Sequence, residues 1–311
     1  MRIGYPCINL GLSCRPDRTF RLASLSWERL RETVAQNLAC LEEIIRWNAQ
    51  RGLLFLRITS DLVPLASHPR NRYPWEEEFA ETFSRVGTLV RLYGMRISMH
   101  PGQYTVLNSP RRETVEAAIA DLVYHNRVLN LMGFDQTAKI QIHLGGQYGN
   151  KKAALSRFIE TFRSLDPTIQ ERLVVEHDER LYTLDDCLSV SAVLGVPVVF
   201  DVLHWRLNPD HHSFSKALEA ASKTWKEGDG IPIVDYSSPL FAGRTGRHAL
   251  TLDEADFQRF LEESHPYDFD LMLEIKDKEQ SALQALAIAR SFGDERLVTQ
   301  FRDISKKEEE L

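Results

Sequence analysis

Six apolar runs of strand length in this chain close on side chains able to bind a metal: His100, His143, Glu176, Asp201, Asp235 and Glu274. His204 follows in Asp201-Val-Leu-His204, and His68 and His248 lie in the segments after two of the runs. Imidazole and carboxylate donors without a thiolate suit zinc, manganese or iron(II). Alone, a histidine at a strand end is more often a hydrogen-bonded core residue, and a carboxylate a helix cap or ion-pair partner. Six in succession are harder to place that way. Carboxylates buried side by side cost many kcal/mol or must protonate, and divalent cations compensate them. Several ions a few ångströms apart are the equipment of phosphodiester hydrolysis. They activate water, polarise phosphoryl oxygens and hold the attacking and leaving oxygens.

These donors meet only if the elements that carry them converge. Apolar runs at 2–6, 53–59, 96–100, 139–143, 173–176, 196–201, 231–235 and 269–274 alternate with segments of helical periodicity, as at 26–50, 113–132 and 279–292. Strand–helix alternation predicts a parallel sheet with helices outside it. Eight candidate strands in this length predict a single-domain α/β fold, a (β/α)8 TIM barrel over 1–300, with a charged tail at 301–311. In a barrel all strand carboxyl ends share one face, and that face carries the active site. A doubly wound sheet is the structural alternative, but no GxGxxG turn follows the first strand.

Composition narrows the class. The 311 residues are 43% hydrophobic and 26% charged, ordinary for a globular chain with a large core. No apolar run approaches the ~18–20 residues of a membrane span. MRIGYPCINL reads as a first strand, not a signal peptide. Cys7, Cys14, Cys40 and Cys187 lack CxxC spacing and are expected as reduced thiols in a cytoplasmic protein. The net charge of −6 gives no global support for nucleic-acid binding. Local basic residues after the strands could still hold a DNA backbone: Arg70, Arg72, Arg111, Arg112, Lys151, Lys152, Arg244 and Arg247.

The stretch RISMHPGQYTVLN (96–108) ends an apolar run on His100, breaks at Pro101-Gly102, and presents Gln103 and Tyr104 to a loop. Together with GYPCINL, RITSDLVPLASHP (57–69), IHLGGQYGNK (142–151), VVEHDE (174–179), FDVLHWRLNP (200–209), YSSP (236–239) and MLEIKDKE (272–279), it resembles the UV damage endonucleases. These are DNA-repair enzymes related in fold and metal site to the apurinic endonuclease IV group, and the match covers roughly residues 1–290. The resemblance implies a barrel holding up to three divalent ions, most often Mn²⁺, with Zn²⁺ or Mg²⁺ as alternatives. It implies damaged double-stranded DNA as substrate, nicked on the 5′ side of ultraviolet photoproducts to leave a 3′-hydroxyl. By motif, the ligands would be His68, His100, His143, Glu176, Asp201, His204, Asp235, His248 and Glu274. Gln103 and Tyr104 would fill the gap left by a flipped lesion, and Tyr5 and Asn9 would line the pocket for the damaged dinucleotide. Glu176 and Glu274 are candidates to bridge ions, His143 stands with them in the catalytic set, and Lys276 is a candidate phosphate contact. A monomer is expected, because one barrel face must stay open to a duplex.

One segment departs from the resemblance. Several members of that family carry Lys-x-His at the end of the seventh strand, the lysine being carboxylated. Here Ile233 and Asp235 occupy those two places. The expectation is that Asp235 restores the negative charge that Ile233 cannot carry. Two rival activities use the same barrel: an abasic-site endonuclease without photoproduct preference, and a metal-dependent sugar isomerase.

Overall fold

In a computed structural model of the chain, residues 1–239 and 247–298 are described. Eight strands close a barrel in chain order: β1 (Ile3–Pro6), β2 (Phe55–Ile58), β3 (Arg96–Met99), β4 (Lys139–His143), β5 (Leu173–Glu176), β6 (Val198–Asp201), β7 (Ile233–Tyr236) and β8 (Asp270–Leu273). Every neighbouring pair is parallel, and β8 returns to β1. The expected TIM barrel is therefore present. Boundaries shift where proline intervenes. Pro232 has no N–H for a ladder bond, so β7 starts at Ile233 instead of 231 and runs on to Tyr236. His100 falls just past β3, where Pro101 has no N–H to continue the ladder. Glu274 stands one residue past β8, its N–H still bonded to the Tyr236 carbonyl at 2.8 Å.

The helices cover the barrel with one apolar stripe each. In Trp27–Arg51 the buried positions include Leu30, Val34, Leu38, Leu41 and Ile45, spaced three or four apart. Ser26 caps its first turn by accepting from the Arg29 N–H, and Gly52 ends it in the left-handed conformation. Inside the barrel, Phe55, Val174, Val199, Ile233 and Met272 form a small dry layer. Side chains in strands alternate, so the residue two positions on shares the inward face. The next rung up is therefore Arg57, Glu176, Asp201, Asp235 and Glu274. One dry layer seats most of the charged groups of the site.

The expectation of four reduced thiols is corrected. Cys14 and Cys40 form a disulfide with Cα atoms 5.6 Å apart, while Cys7 and Cys187 are free. The segment after β1 folds back onto Trp27–Arg51, a tertiary pairing that a separation of 26 residues does not announce. The cysteines thus lend no support to the cytoplasmic expectation. No helix among the described residues is long and apolar enough to cross a membrane. The charged tail expected at 301–311 lies outside the described residues.

Candidate metal centre

Glu176, at the end of β5, is the hub. It pairs in register with His143 of β4. Its Oε2 lies 3.2 Å from His100 Nε2 and 3.5 Å from His143 Nε2, and its Oε1 lies 2.8 Å from His204 Nδ1. Asp201 and His204 come from one local device. Asp201 caps the helix Val202–Leu207, accepting the His204 N–H at 2.6 Å, so the D-x-x-H spacing folds His204 back over Glu176. Two candidate ion positions follow, both sharing Glu176: one with His100 and His143, the other with Asp201 and His204. Glu274 completes the mouth, with Oε2 3.3 Å from His248 Nε2. The cavity is about 670 Å³, and Glu176, Glu274, His100, His143, His204 and His248 all line it.

The donor set fits divalent ions. Asp201 Oδ2, His143 Nδ1 and His248 Nδ1 are buried with no protein partner. Buried polar atoms are nearly always satisfied, so such orphans call for an ion or water. The electrostatics agree. Burial works to raise Glu176, but His143, His100 and His204 together hold it well below the usual carboxylate range. Glu274 is likewise pushed up by burial and pulled down to about 2 by Arg57 and His248. His204 resists the pull of burial and is raised to about 11 by Asp201 and Glu176. Burial pushes Asp201 up to about 6. Carboxylates held ionised inside the protein by facing imidazoles and a guanidinium present the charge pattern that suits a metal cation.

Three residues at the centre escaped the sequence reading. Arg57 of β2 is buried and binds Asp235, Glu274 and Gln141. Gln141 of β4 donates to Glu176 Oε2 at 2.7 Å and to Asp235 Oδ2 at 2.6 Å. His177 accepts the Asp201 N–H at Nε2, and burial lowers it to about 3, so it stays neutral. Alternation along β2 and β4 was the available signal for Arg57 and Gln141. No spacing marks His177.

Other expected site residues are placed as follows. His68 accepts the Arg70 N–H at Nδ1 and is not among the cavity-lining residues. Asp235 is fully buried and does not line the cavity. Gln103 lines the cavity, and Tyr104 projects from the same turn with 80% of its surface exposed. Tyr5 and Asn9 turn inward: Tyr5 donates to Asn48 Oδ1 at 2.7 Å and accepts from Asn9 Nδ2 at 2.9 Å, both being buried. Lys276 is exposed at the cavity rim. Arg70, Arg72, Arg111, Lys152 and Arg247 are exposed. Arg112 pairs with Glu116 at 2.7 Å, Lys151 pairs with Asp186, and Arg244 lies outside the described residues. In the 142–151 segment, Gly145 has φ +91, and a Cβ there would collide with the Asn108 side chain.

Comparison with known proteins places this geometry. Residues 1–303 match the family model described as UV-endonuclease UvdE. The chain is 37% identical over 288 residues to a UV DNA damage endonuclease of Clostridium perfringens (strain 13 / Type A), covering 92% of this chain and 70% of that protein. It is 31% identical over 294 residues to a UV DNA damage endonuclease of Bacillus thuringiensis subsp. konkukian (strain 97-27), covering 91% and 93%. The crystal structure of SacUVDE matches with a TM-score of 0.90 at 41% identity, covering 94% of this chain and 99% of that one.

Proposed function

From the premise that the chain belongs to the UV-endonuclease UvdE family and is a DNA-repair endonuclease, we propose that it nicks duplex DNA immediately 5′ to ultraviolet photoproducts. The products are a 3′-hydroxyl and a 5′-phosphate, and the working form is a monomer. The observation that carries this reading is the convergence of His100, His143 and His204 on Glu176 in a cavity beside the exposed Tyr104.

His100, His143, Glu176, Asp201, His204, His248 and Glu274 would hold divalent ions, Mn²⁺ first among them. Bound there, such ions activate water and stabilise charge on phosphoryl oxygens. The chain's own groups do the rest. Glu176 presents separate oxygens to its two sides. Gln141 orients the Glu176 carboxylate from behind, the role of an outer partner in a metal site, and His177 holds the Asp201 main chain by accepting its N–H. Lys276 at the rim offers a cation to a backbone phosphate. Flipping a base costs a few kcal/mol, least at a damaged step, so the lesion itself contributes selectivity. Gln103 and Tyr104 fill the space it vacates.

A labelled duplex with one thymine dimer tests this, set beside undamaged and abasic duplexes. Chelator-stripped protein is reloaded with Mn²⁺, Zn²⁺ or Mg²⁺ separately. One metal-dependent nick 5′ to the dimer is expected. Cleavage only at the abasic site would transfer the protein to the abasic-site class. No cleavage and no binding of any duplex at low salt would remove the endonuclease reading.

A further inference from the structure

We infer that Arg57 is a fixed cation in the floor of the centre, that Asp235 is its counter-ion instead of a metal ligand, and that the centre therefore holds two divalent ions. The inference rests on the metal reading of the site above. Arg57 Nη2 lies 2.9 Å from both carboxylate oxygens of Asp235 and 2.9 Å from Gln141 Oε1, and its Nη1 binds Glu274 Oε1. Gln141 Nε2 takes up Asp235 Oδ2 from the other side. Both Asp235 oxygens are thus committed to fixed donors, whereas Asp201 keeps a buried oxygen with no partner. Beneath Asp235 lies the dry layer that contains Ile233. Arg57 reaches the cavity wall, whereas Asp235, like Asp201, lies behind it.

A guanidinium stays charged in a protein interior. It occupies the part of the floor where an ion bound to Asp235 would have to sit, and it repels a cation there. Charge balance points the same way. Glu176, Asp201, Asp235 and Glu274 carry −4 when ionised, and Arg57 reduces this to −3. Two divalent ions bring the centre to +1, matched to a phosphodiester monoanion. Three would leave +3 packed around a buried arginine. Asp235 and Arg57 are positioning residues: they act through Glu274 and, by way of Gln141, through Glu176.

The test counts Mn²⁺ bound per chain, by elemental analysis and by a binding isotherm on chelator-stripped protein. It needs no DNA, so a failure to nick DNA leaves the count interpretable, and a wrong count leaves the nicking result standing. Wild type should saturate at two ions, and Asp235→Asn should also hold two. Asp201→Asn, which removes a ligand, should hold one. Arg57→Met alone should raise the count to three, because it removes the cation that repels an ion there and frees both Asp235 oxygens. Adding Asp235→Asn should return the count to two, because it removes the stranded carboxylate. This double variant also keeps the test open if Asp235→Asn alone does not fold. Three ions in the wild type, one ion fewer in Asp235→Asn, a count still at two in Arg57→Met, or three ions in the double variant would each overturn the inference.

Discussion

Replacing Tyr104 with alanine separates a DNA-probing residue from a packed one, because the fold makes almost no use of it. The side chain is 80% exposed. Its neighbours hold the turn without it: the Thr105 N–H bonds the Gly102 carbonyl at 2.9 Å, and the Thr105 hydroxyl bonds Asp121 at 2.6 Å. Stability should therefore change by no more than about 0.5 kcal/mol, the usual range for a surface substitution. Binding should change far more. An aromatic side chain buries roughly 150–250 Å² when fully covered, so about 120–200 Å² of Tyr104 is free to be covered by DNA. At about 25 cal/mol per Å², that area sets an upper limit of roughly 3–5 kcal/mol. Ordering the ring and unstacking the duplex consume part of this, leaving the ~1–3 kcal/mol typical of an aromatic–base stack. The expected loss in affinity is roughly 5- to 150-fold.

The assay is fluorescence anisotropy on duplexes with and without one thymine dimer. Both proteins carry Glu176→Gln so that the strand is not cut during titration. Tyr104→Ala should lose affinity for the dimer duplex and little for the undamaged one, and Tyr104→Phe should keep most of it. An affinity for the dimer duplex within twofold of the parent refutes the reasoning. So does an equal loss on both duplexes, which would make the ring a general backbone contact.

Three further outcomes follow from the charges and the crosslink. His204 holds its proton up to about 11 among protein groups alone, and a ligating imidazole must be neutral. Adding Mn²⁺ to stripped protein at pH 7 should therefore release at least one proton per chain, read from calorimetric heats in two buffers, and no release would exclude His204 as a ligand. Glu274 falls from 4.5 to about 2 on folding. Its contribution is thus present above pH 4.5 and lost as pH falls toward 2, so Glu274→Gln should flatten the stability curve of stripped protein across that window. The Cys14–Cys40 bridge closes a separation of 26 residues, and replacing both cysteines with serine should cost roughly 3–4 kcal/mol in chemical denaturation. Neither cysteine lines the cavity, so nicking well below the melting temperature should be unchanged.

The fold was legible because a parallel barrel writes itself as short apolar runs between amphipathic helices. β4 and β5 fall on the expected residues, and the helix Trp27–Arg51 lies within one residue of its expected span at each end. The donor set was legible for the same reason, since one face collects the last inward residue of each strand. Contacts made across the chain left no such trace. Tyr5 and Asn9 belong to a recognisable motif, yet their bonds run to each other and to Asn48 on a helix 43 residues beyond Tyr5. The Cys14–Cys40 pairing depends on how the segment after β1 folds back, which no local pattern encodes.

Arg57 shows why the reading of strand ends was incomplete. The run 53–59 closes on Thr59, a residue without metal chemistry, so β2 drops out when only the last residue of each run is considered. The barrel instead sorts side chains by height. Alternation sets Arg57 two positions above Phe55, as it sets Glu176 above Val174, Asp201 above Val199, Asp235 above Ile233 and Glu274 above Met272. Four carboxylates and one guanidinium thus share a rung over one apolar layer. The guanidinium makes that rung tenable, because it binds two of the four directly and reaches a third through Gln141. Asp201, the fourth, is the carboxylate with a buried oxygen left unpartnered. Arg57 thus pairs off Asp235 within the protein, and on the metal reading Asp201, Glu176 and Glu274 are the carboxylates left to the ions.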